Sequence, residues 1–388
     1  MLRFVLAFVL LAATPLLAQV SEQALQRAFA HGVEAMAAGK AAKAERIFRA
    51  MLEHTDSPRV RLELARALYA LGKYAEAKAL FREVSRRSDT PWRVRDNIEH
   101  FVRVIEEKTG YLKLGVTFIS DSNPRSIAAQ KEFSIGDLRL TPTEAPKKEY
   151  GLRYSARGWL PLSETSRLSG YLAASYNDYT GEGLDRLTLD FGGVRPLSDS
   201  GWLRGKLGME AGTAGGQRLY HFPYVGLDAV LGESEQSRLT GEVKAGKVSF
   251  ADFDHLDADY GSAALSLSRI ITAVATVSLG GSVERSSARE RPYSYYGVEV
   301  GPGISTFWPA SAYLVGGRVA VGARKYGAED PFFGERRSDR RTRLEATLGN
   351  KRWRWGDSNL MLVASLERND SNVEFYSYRK ANLSVVVE

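Results

Sequence analysis

The stretch Tyr313-Leu314-Val315-Gly316-Gly317-Arg318-Val319-Ala320-Val321-Gly322-Ala323-Arg324 decides the fold. Tyr313, Val315, Gly317, Val319, Val321 and Ala323 fall on one face of an extended strand. Leu314, Gly316, Arg318, Ala320, Gly322 and Arg324 fall on the other. One face asks for apolar surroundings and the other tolerates charge, which is the signature of a two-sided strand. The pattern recurs. Leu203, Gly205, Leu207 and Met209 alternate with Arg204, Lys206, Gly208 and Glu210. Leu239, Gly241, Val243 and Ala245 alternate with Arg238, Thr240, Glu242 and Lys244, and Leu344, Ala346 and Leu348 oppose Arg343, Glu345 and Thr347.

Fourteen such segments follow Gly110. They are expected to start near Tyr111, Tyr150, Ser166, Asp185, Gly201, Leu219, Ser237, Asp259, Ala273, Tyr295, Ala310, Arg340, Asn359 and Glu374. An even count suits a single-chain transmembrane β-barrel, whose strands face lipid on one side and a polar lumen on the other. Ser198-Asp199-Ser200-Gly201 and Gly232-Glu233-Ser234 read as tight turns. Ser122 to Lys147, Ala251 to Asp257 and Ala328 to Asp339 read as longer loops, the expected asymmetry between periplasmic and outer connections. Aromatic residues cluster near strand ends: Trp159, Tyr176, Tyr179, Trp202, Tyr220, Phe222, Tyr293, Tyr295, Tyr296, Phe307, Trp308, Tyr326, Trp353, Trp355, Tyr376 and Tyr378. That placement predicts interfacial girdles. A soluble β-sandwich would bring its apolar faces together in a dry core, and the charges on every second residue argue against it.

The barrel reading explains a composition that otherwise looks soluble. The chain has 388 residues, 44% of them hydrophobic and 26% charged, with a mean hydropathy of −0.26. Transmembrane helices need ~20 nearly uninterrupted apolar residues each, so a helical membrane bundle is excluded. Cysteine is absent, which excludes disulfides, a thiol nucleophile, cysteine-based zinc sites and lipidation on cysteine.

Upstream, the period changes. Arg3, the apolar run Phe4–Ala13, the break at Thr14-Pro15 and the small Ala18 predict a secretory signal peptide over residues 1–18. From Ser21 to Lys108 the text is helical and it repeats. Gly39-Lys40-Ala41-Ala42-Lys43-Ala44-Glu45 with Ile47-Phe48-Arg49 returns 33 positions later as Gly72-Lys73-Tyr74-Ala75-Glu76-Ala77-Lys78 with Leu80-Phe81-Arg82. Pro58 and Pro91 keep the same offset. A self-match near this period marks a helical-hairpin solenoid, and the segment resembles tetratricopeptide (TPR) repeats. The glycines end one helix, the alanines let helices approach, and the prolines sit where a new helix starts. Val94 to Glu107 is expected as a last, capping helix. Such a module is either a spacer or a concave groove that grips a partner. Tyr69, Tyr74, Arg66 and Arg95 are the candidates for lining that groove against a client.

The expected organisation is therefore α + β and multidomain: a signal peptide (1–18), a periplasmic TPR-like α-solenoid (19–109) and a 14-stranded antiparallel transmembrane β-barrel (110–388). The formal charge of +7 divides unevenly. Gln19 to Thr109 holds 17 basic and 13 acidic residues, and the part from Gly110 onward holds 35 and 33. No basic block with interleaved aromatics is present, so no nucleic-acid partner is expected.

Signal peptide, short TPR stack and fourteen-stranded barrel, in that order, resemble the surface lipoprotein assembly modifier (Slam) family. Three local features carry the resemblance. The helix from Pro91-Trp92-Arg93-Val94 to Ile105 runs into the first strand. That strand ends in Asp121-Ser122-Asn123-Pro124. Ser371-Asn372-Val373-Glu374-Phe375-Tyr376-Ser377-Tyr378-Arg379-Lys380 is similar to the family's last hairpin, which singles out Asn372, Tyr376, Tyr378 and Arg379. The helical part is short for the family. The final residues Leu383-Ser384-Val385-Val386-Val387-Glu388 lack the terminal aromatic that outer-membrane barrels usually show to the barrel-assembly machinery, so a variant insertion signal is expected. The resemblance implies a translocator that helps lipoproteins, or related secreted proteins, reach the cell surface of a Gram-negative bacterium. Its partners would be the exported client, the barrel-assembly machinery and outer-membrane lipid.

Three functions are open to such a chain. For a translocator, the charged lumen candidates are Arg204, Lys206, Glu210, Arg238, Glu242, Lys244, Arg318, Arg324, Arg343 and Glu345. Their plain role is to solvate the interior and pair across strands. Mixed sign suits a polypeptide of unspecified charge. A passive channel or polysaccharide export porin is the alternative, and an acidic polymer would want a one-signed lumen. An enzyme is not expected. Of the five histidines, only His221 and His255 lie in the barrel; His255 sits among Asp252, Asp254 and Asp257, which reads as a solvated loop. No Gly-x-Ser-x-Gly elbow and no glycine-rich phosphate loop occurs. No catalytic, metal or cofactor constellation is found.

Overall fold

The computed structural model describes residues 22–87, 89–128, 133–135, 138–140, 144–163, 165–355 and 358–387. The expected signal peptide, residues 1–18, lies outside them. The chain divides into two compact units. One holds the residues up to Thr90 and Val94–Ile105, the other Pro91–Arg93 and everything from Glu106 on.

The helical unit is built from α1 (Glu22–Ala37), α2 (Ala41–Leu52), α3 (Pro58–Ala70), α4 (Tyr74–Arg86) and α5 (Trp92–Thr109). The 33-residue repeat is visible bond by bond. Gly39 and Gly72 both adopt the left-handed conformation, with φ of 72° and 74°. Lys40 N–H donates to Ala35 C=O at 2.8 Å, and Lys73 N–H donates to Leu68 C=O at 2.9 Å. These are Schellman-type closures that satisfy carbonyls left over at the helix ends. Pro58 opens α3 at its first turn, where no amide hydrogen is needed. The small residues leave room for the large ones. Ala44, Ala65 and Ala77 are fully buried beside Phe48, Leu68 and Phe81 in one core. A Cβ placed on Gly32 would fall 2.5 Å from Phe48, so the close approach of α1 and α2 requires glycine there.

The barrel has fourteen antiparallel strands: β1 (Tyr111–Asp121), β2 (Glu149–Ser163), β3 (Leu168–Tyr179), β4 (Arg186–Pro196), β5 (Leu203–Ala214), β6 (Gln217–Glu233), β7 (Ser237–Phe250), β8 (Ala258–Thr272), β9 (Ala275–Ala288), β10 (Tyr295–Trp308), β11 (Tyr313–Glu329), β12 (Arg336–Trp355), β13 (Ser358–Ser371) and β14 (Tyr378–Val387). Each pairs with its sequence neighbours, and β14 pairs with β1 to close the ring. A short hairpin (Phe133–Ile135 with Leu138–Leu140) stands in the loop after β1. The observed strands start within a few residues of the expected positions. The largest shifts are at β12, which begins at Arg336 rather than Arg340, and at the last strand. There Glu374–Tyr376 forms a turn of 3₁₀ helix and β14 begins at Tyr378.

Connections at one end of the barrel are mostly tight, such as 234–236 and 273–274. The other end carries the loops 122–148, 180–185, 251–257, 289–294, 330–335 and 372–377, together with the two-residue turn Gly215-Gly216. The chain enters β1 from Gly110 at the tight-turn end. Leu114, Leu207, Val225, Val243, Leu265, Leu279, Val300, Val319 and Leu366 stand exposed on the outer wall. Around them the expected girdles form, with a division of labour. Trp202, Trp308 and Trp355 stand exposed at the tight-turn end, and Tyr150, Tyr176 and Tyr296 at the loop end. Tyr296 and Trp308 lie on one strand at a rise of about 3.3 Å per residue. With a tilt of about 40° this sets the girdles roughly 30 Å apart, a bilayer's apolar thickness. Not every rim aromatic belongs to a girdle. Phe222, Tyr295, Tyr326 and Tyr378 turn inward, where charged groups lie against their rings or bond to their hydroxyls.

Candidate functional site in the barrel lumen

Directly opposed residues share a face of the sheet, so register carries the inner face round the ring. Arg204 opposes Asp228, Lys206 opposes Gly226, and Glu210 opposes Asp190. Arg238, Glu242 and Lys244 oppose Ser268, Ala264 and Ser262. Arg318 opposes Glu345, Arg324 opposes Asp339, and Arg343 opposes Glu367. All ten lumen candidates lie on this face.

Most of them meet opposite charges. Lys206 Nζ lies 2.8 Å from Asp228 and 3.8 Å from Glu242. Lys244 Nζ lies 2.9 Å from Glu210, which also accepts the Tyr220 hydroxyl at 2.7 Å. Arg324 pairs with Glu284 at 2.7 Å, and Arg343 with Glu367 at 2.7 Å. Glu367 further accepts the Tyr378 hydroxyl at 2.7 Å and lies 3.8 Å from Lys380. Arg238 pairs loosely with Glu233 near the tight-turn rim. Arg318 and Glu345 face each other in register without an ion pair among the described residues.

The acidic partners Asp228, Glu284 and Glu367 were not among the candidates. Alternation does place them: Leu362, Ala364 and Leu366 on the outer face leave Glu367 on the inner one. Which cation each meets depends on register, which a single strand does not carry. Aromatic groups also narrow this wall. The Tyr171 and Tyr224 hydroxyls lie 2.6 Å apart, and Tyr224 donates to Asp190 at 2.8 Å. Lys244 sits 3.9 Å from the centre of the Tyr224 ring.

The family-like residues gather at the loop end. Asn123, 1% exposed, donates from Nδ2 to Ile127 C=O at 2.8 Å and Arg379 C=O at 3.2 Å. Its Oδ1 accepts the Ile127 N–H at 2.9 Å, and its own N–H donates to Asp121 at 2.9 Å. Ser122 Oγ accepts the Ala381 N–H at 2.8 Å, and Pro124 follows in the same turn. Asn372 accepts the Ser338 N–H at 2.6 Å and donates to Arg336 C=O at 3.0 Å. The Tyr376 hydroxyl donates to Asp330 at 2.7 Å beneath the Arg337 guanidinium. These residues knit loops together. The His255 ring lies 4.8 Å from that of Tyr293, tilted by 56°, and Asp257 accepts the Phe250 N–H at 2.7 Å. No group of metal-ligating side chains occurs among the described residues.

In the helical unit, the four groove candidates do not form one cluster. Tyr69 packs on Tyr74 at 5.8 Å and on Phe101 at 5.7 Å. Arg66 pairs with Glu63 at 3.0 Å on an exposed face. Arg95 donates to Ser85 C=O at 3.2 Å and Arg87 C=O at 2.9 Å, closing the end of α4. One buried polar contact of the unit was not anticipated. Glu45 is buried on α2 and takes Lys73 Nζ at 2.8 Å and Arg49 Nε at 3.0 Å. The hydrogen bond from Lys73, helped by Arg49, holds the Glu45 carboxyl below the usual glutamate range.

A closed ring of fourteen strands with an apolar outer wall, aromatic girdles and a charged lumen defines an outer-membrane β-barrel, so the chain resides in the outer membrane of a Gram-negative bacterium. Residues 35–91 match the family model of a tetratricopeptide repeat. Residues 210–388 match the family model described as surface lipoprotein assembly modifier. Comparison with curated proteins finds no match. Solved structures similar to this chain include the following three. Pseudomonas putida OprB at high pH is 8% identical, with a TM-score of 0.44 over 74% of this chain and 96% of that one. The Acinetobacter baumannii outer membrane channel DcaP is 9% identical, with a TM-score of 0.40 over 72% and 98%. A bacterial polysaccharide outer membrane secretin is 10% identical, with a TM-score of 0.37 over 71% and 98%. These similarities are too distant to bear on function.

Proposed function

We propose that the chain assists the transfer of lipoproteins, or related secreted proteins, across the outer membrane to the cell surface. The helical segment, residues 19–109, engages the client in the periplasm, and the barrel, residues 110–388, gives it passage. The observation that carries this reading is the joining of a tetratricopeptide repeat to a surface lipoprotein assembly modifier domain in one chain.

The lumen supports it. Eight-stranded barrels hold only side chains and those of 16–18 strands leave an aqueous channel, so fourteen strands fall between. The wall mixes both signs of charge and neutralises most of them locally. Such a wall neither attracts nor repels one sign along its length, which suits a polypeptide of varied sequence. A selective anion pore, or a conduit for an acidic polymer, would need an excess of cations.

The test is a deletion strain. Intact cells labelled with a membrane-impermeant biotin reagent should lose one or more lipoproteins from the labelled fraction while whole-cell extracts retain them. Unchanged labelling together with reduced uptake of small solutes would favour a passive channel instead.

A further inference from the structure

Closure of the barrel depends on β1 and β14, and this junction differs from the other ladders. Neighbouring strands elsewhere are joined by a turn or loop, whereas β1 and β14 come from opposite ends of the barrel sequence. Six residue pairs join them among the described residues, from Val116 opposite Val387 to Asp121 opposite Asn382. On its other edge β1 pairs with β2 through eleven.

The side chains divide this seam in two. Its loop end is latched. The Asn382 amide, oriented with its nitrogen toward Asp121, donates to both carboxylate oxygens at 2.9 and 3.0 Å. Asn123 and Ser122 reach across to the backbone of Arg379 and Ala381. Below the latch the chemistry changes. Thr117 opposes Val386 and Ile119 opposes Ser384 on the lumen face; Phe118 opposes Val385 on the lipid face. No ion pair and no side-chain hydrogen bond links these pairs among the described residues. Elsewhere the inner wall is stitched by the Lys206–Asp228, Lys244–Glu210, Arg324–Glu284 and Arg343–Glu367 pairs. The seam is thus a largely apolar stripe running from the lumen to the lipid.

We propose that the barrel opens between β1 and β14, and that the acyl anchor of a lipid-anchored client leaves the lumen there for the bilayer. The inference rests on the reading of the chain as an assembler of surface lipoproteins. An acyl chain is driven out of a wet, charged lumen, and a closed wall bars it from lipid. Separating strands in hydrocarbon leaves their backbone groups without partners, so opening is least costly where no connecting turn also holds the two strands together. Among the described residues no charged pair has to be broken below Asp121. The latch at the loop end keeps the outer rim registered while the lower seam parts.

The chain contains no cysteine, so a disulfide across the seam can be installed cleanly. Directly opposed strand residues have Cα atoms about 4.5–5.5 Å apart, within the range a disulfide spans. The test pairs Thr117→Cys with Val386→Cys in a deletion strain, with Phe118→Cys and Val385→Cys as a second variant should the first fail to fold. Ser268→Cys with Ser278→Cys, opposed on β8 and β9, is the control. Folding is read from the resistance of the barrel to SDS, and display from labelling of surface lipoproteins with membrane-impermeant biotin. The seam variant should restore display when reduced and lose it when oxidised, while the control displays in both states. Full display by the oxidised, cross-linked seam would overturn the proposal and leave the assembly function standing. Failure of the wild-type chain itself to restore display in the deletion strain would overturn both.

Discussion

Glu210 and Lys244 lie on strands that are not neighbours, yet their charged atoms meet 2.9 Å apart on the lumen wall. Strand β6 runs between them, and the lysine ammonium rests above its Tyr224 ring. The pair therefore links three strands. Both side chains are well shielded from solvent, but the lumen is polar, so the ion pair and the ring contact together contribute about 1 kcal/mol. A double-mutant cycle of Glu210→Gln and Lys244→Met, read by unfolding in detergent, should give a coupling of that size. Strict additivity would mean the two groups do not meet.

Glu45 makes the helical unit sensitive to acid. Its folded pKa is depressed by Lys73 and Arg49, so its contribution to stability is fully present above the ordinary glutamate range. That contribution is lost as pH falls below the ordinary glutamate range and through the lowered folded value. Because Lys73 and Arg49 are half exposed, the loss on Glu45→Gln is about 1 kcal/mol rather than that of a fully buried pair. The helical signal of the detergent-solubilised chain should melt earlier at neutral pH in the variant, and the gap to wild type should close in acid. A gap that persists at the lowest pH would assign the effect to packing.

Two glycines of the helical unit should fail for different reasons. Gly72 has open space around it, so Gly72→Ala costs only the left-handed backbone, about 1 kcal/mol. Gly32→Val drives a side chain into Phe48 and costs roughly 2–3 kcal/mol through overpacking. Trimming the ring with Phe48→Leu should recover part of the second loss and none of the first. Thermal melts of the single and double variants separate the two.

The Asn123 side chain satisfies three backbone groups from a fully buried position at the latch. Asn123→Ala removes the side-chain bonds to Ile127 and Arg379 and leaves their polar groups unpaired. It should cost about 2–3 kcal/mol. The temperature at which the folded barrel loses its SDS-resistant gel mobility should fall. An unchanged temperature would mean that water replaces the amide.

The residues that alternate most cleanly were the most legible. Arg318 and Val319 are neighbours on opposite faces, as their strand's pattern requires, and the 33-residue repeat places both glycine closures of the helical unit. Three kinds of information were out of reach. Register decides that Lys244 meets Glu210 across an intervening strand, and a single strand's alternation does not encode it. The facing of aromatics near the rims was obscure, because both faces there border polar surroundings; Tyr295 turns inward and Tyr296 outward. Arg95 reads in sequence as a candidate for lining the groove but closes a helix end, since the carbonyls it serves come from residues eight and ten positions earlier.

Passage of the client through the lumen is tested most directly by cross-linking from one strand. A photo-reactive residue replaces either Arg318, on the inner face, or Val319, on the outer. Cells are irradiated while lipoproteins are being delivered to the surface, and adducts are identified after purification of the barrel. Adducts to a surface lipoprotein should form from position 318 and not from 319. Display that continues normally with no adduct from 318, or with equal adducts from both positions, would contradict passage through the barrel.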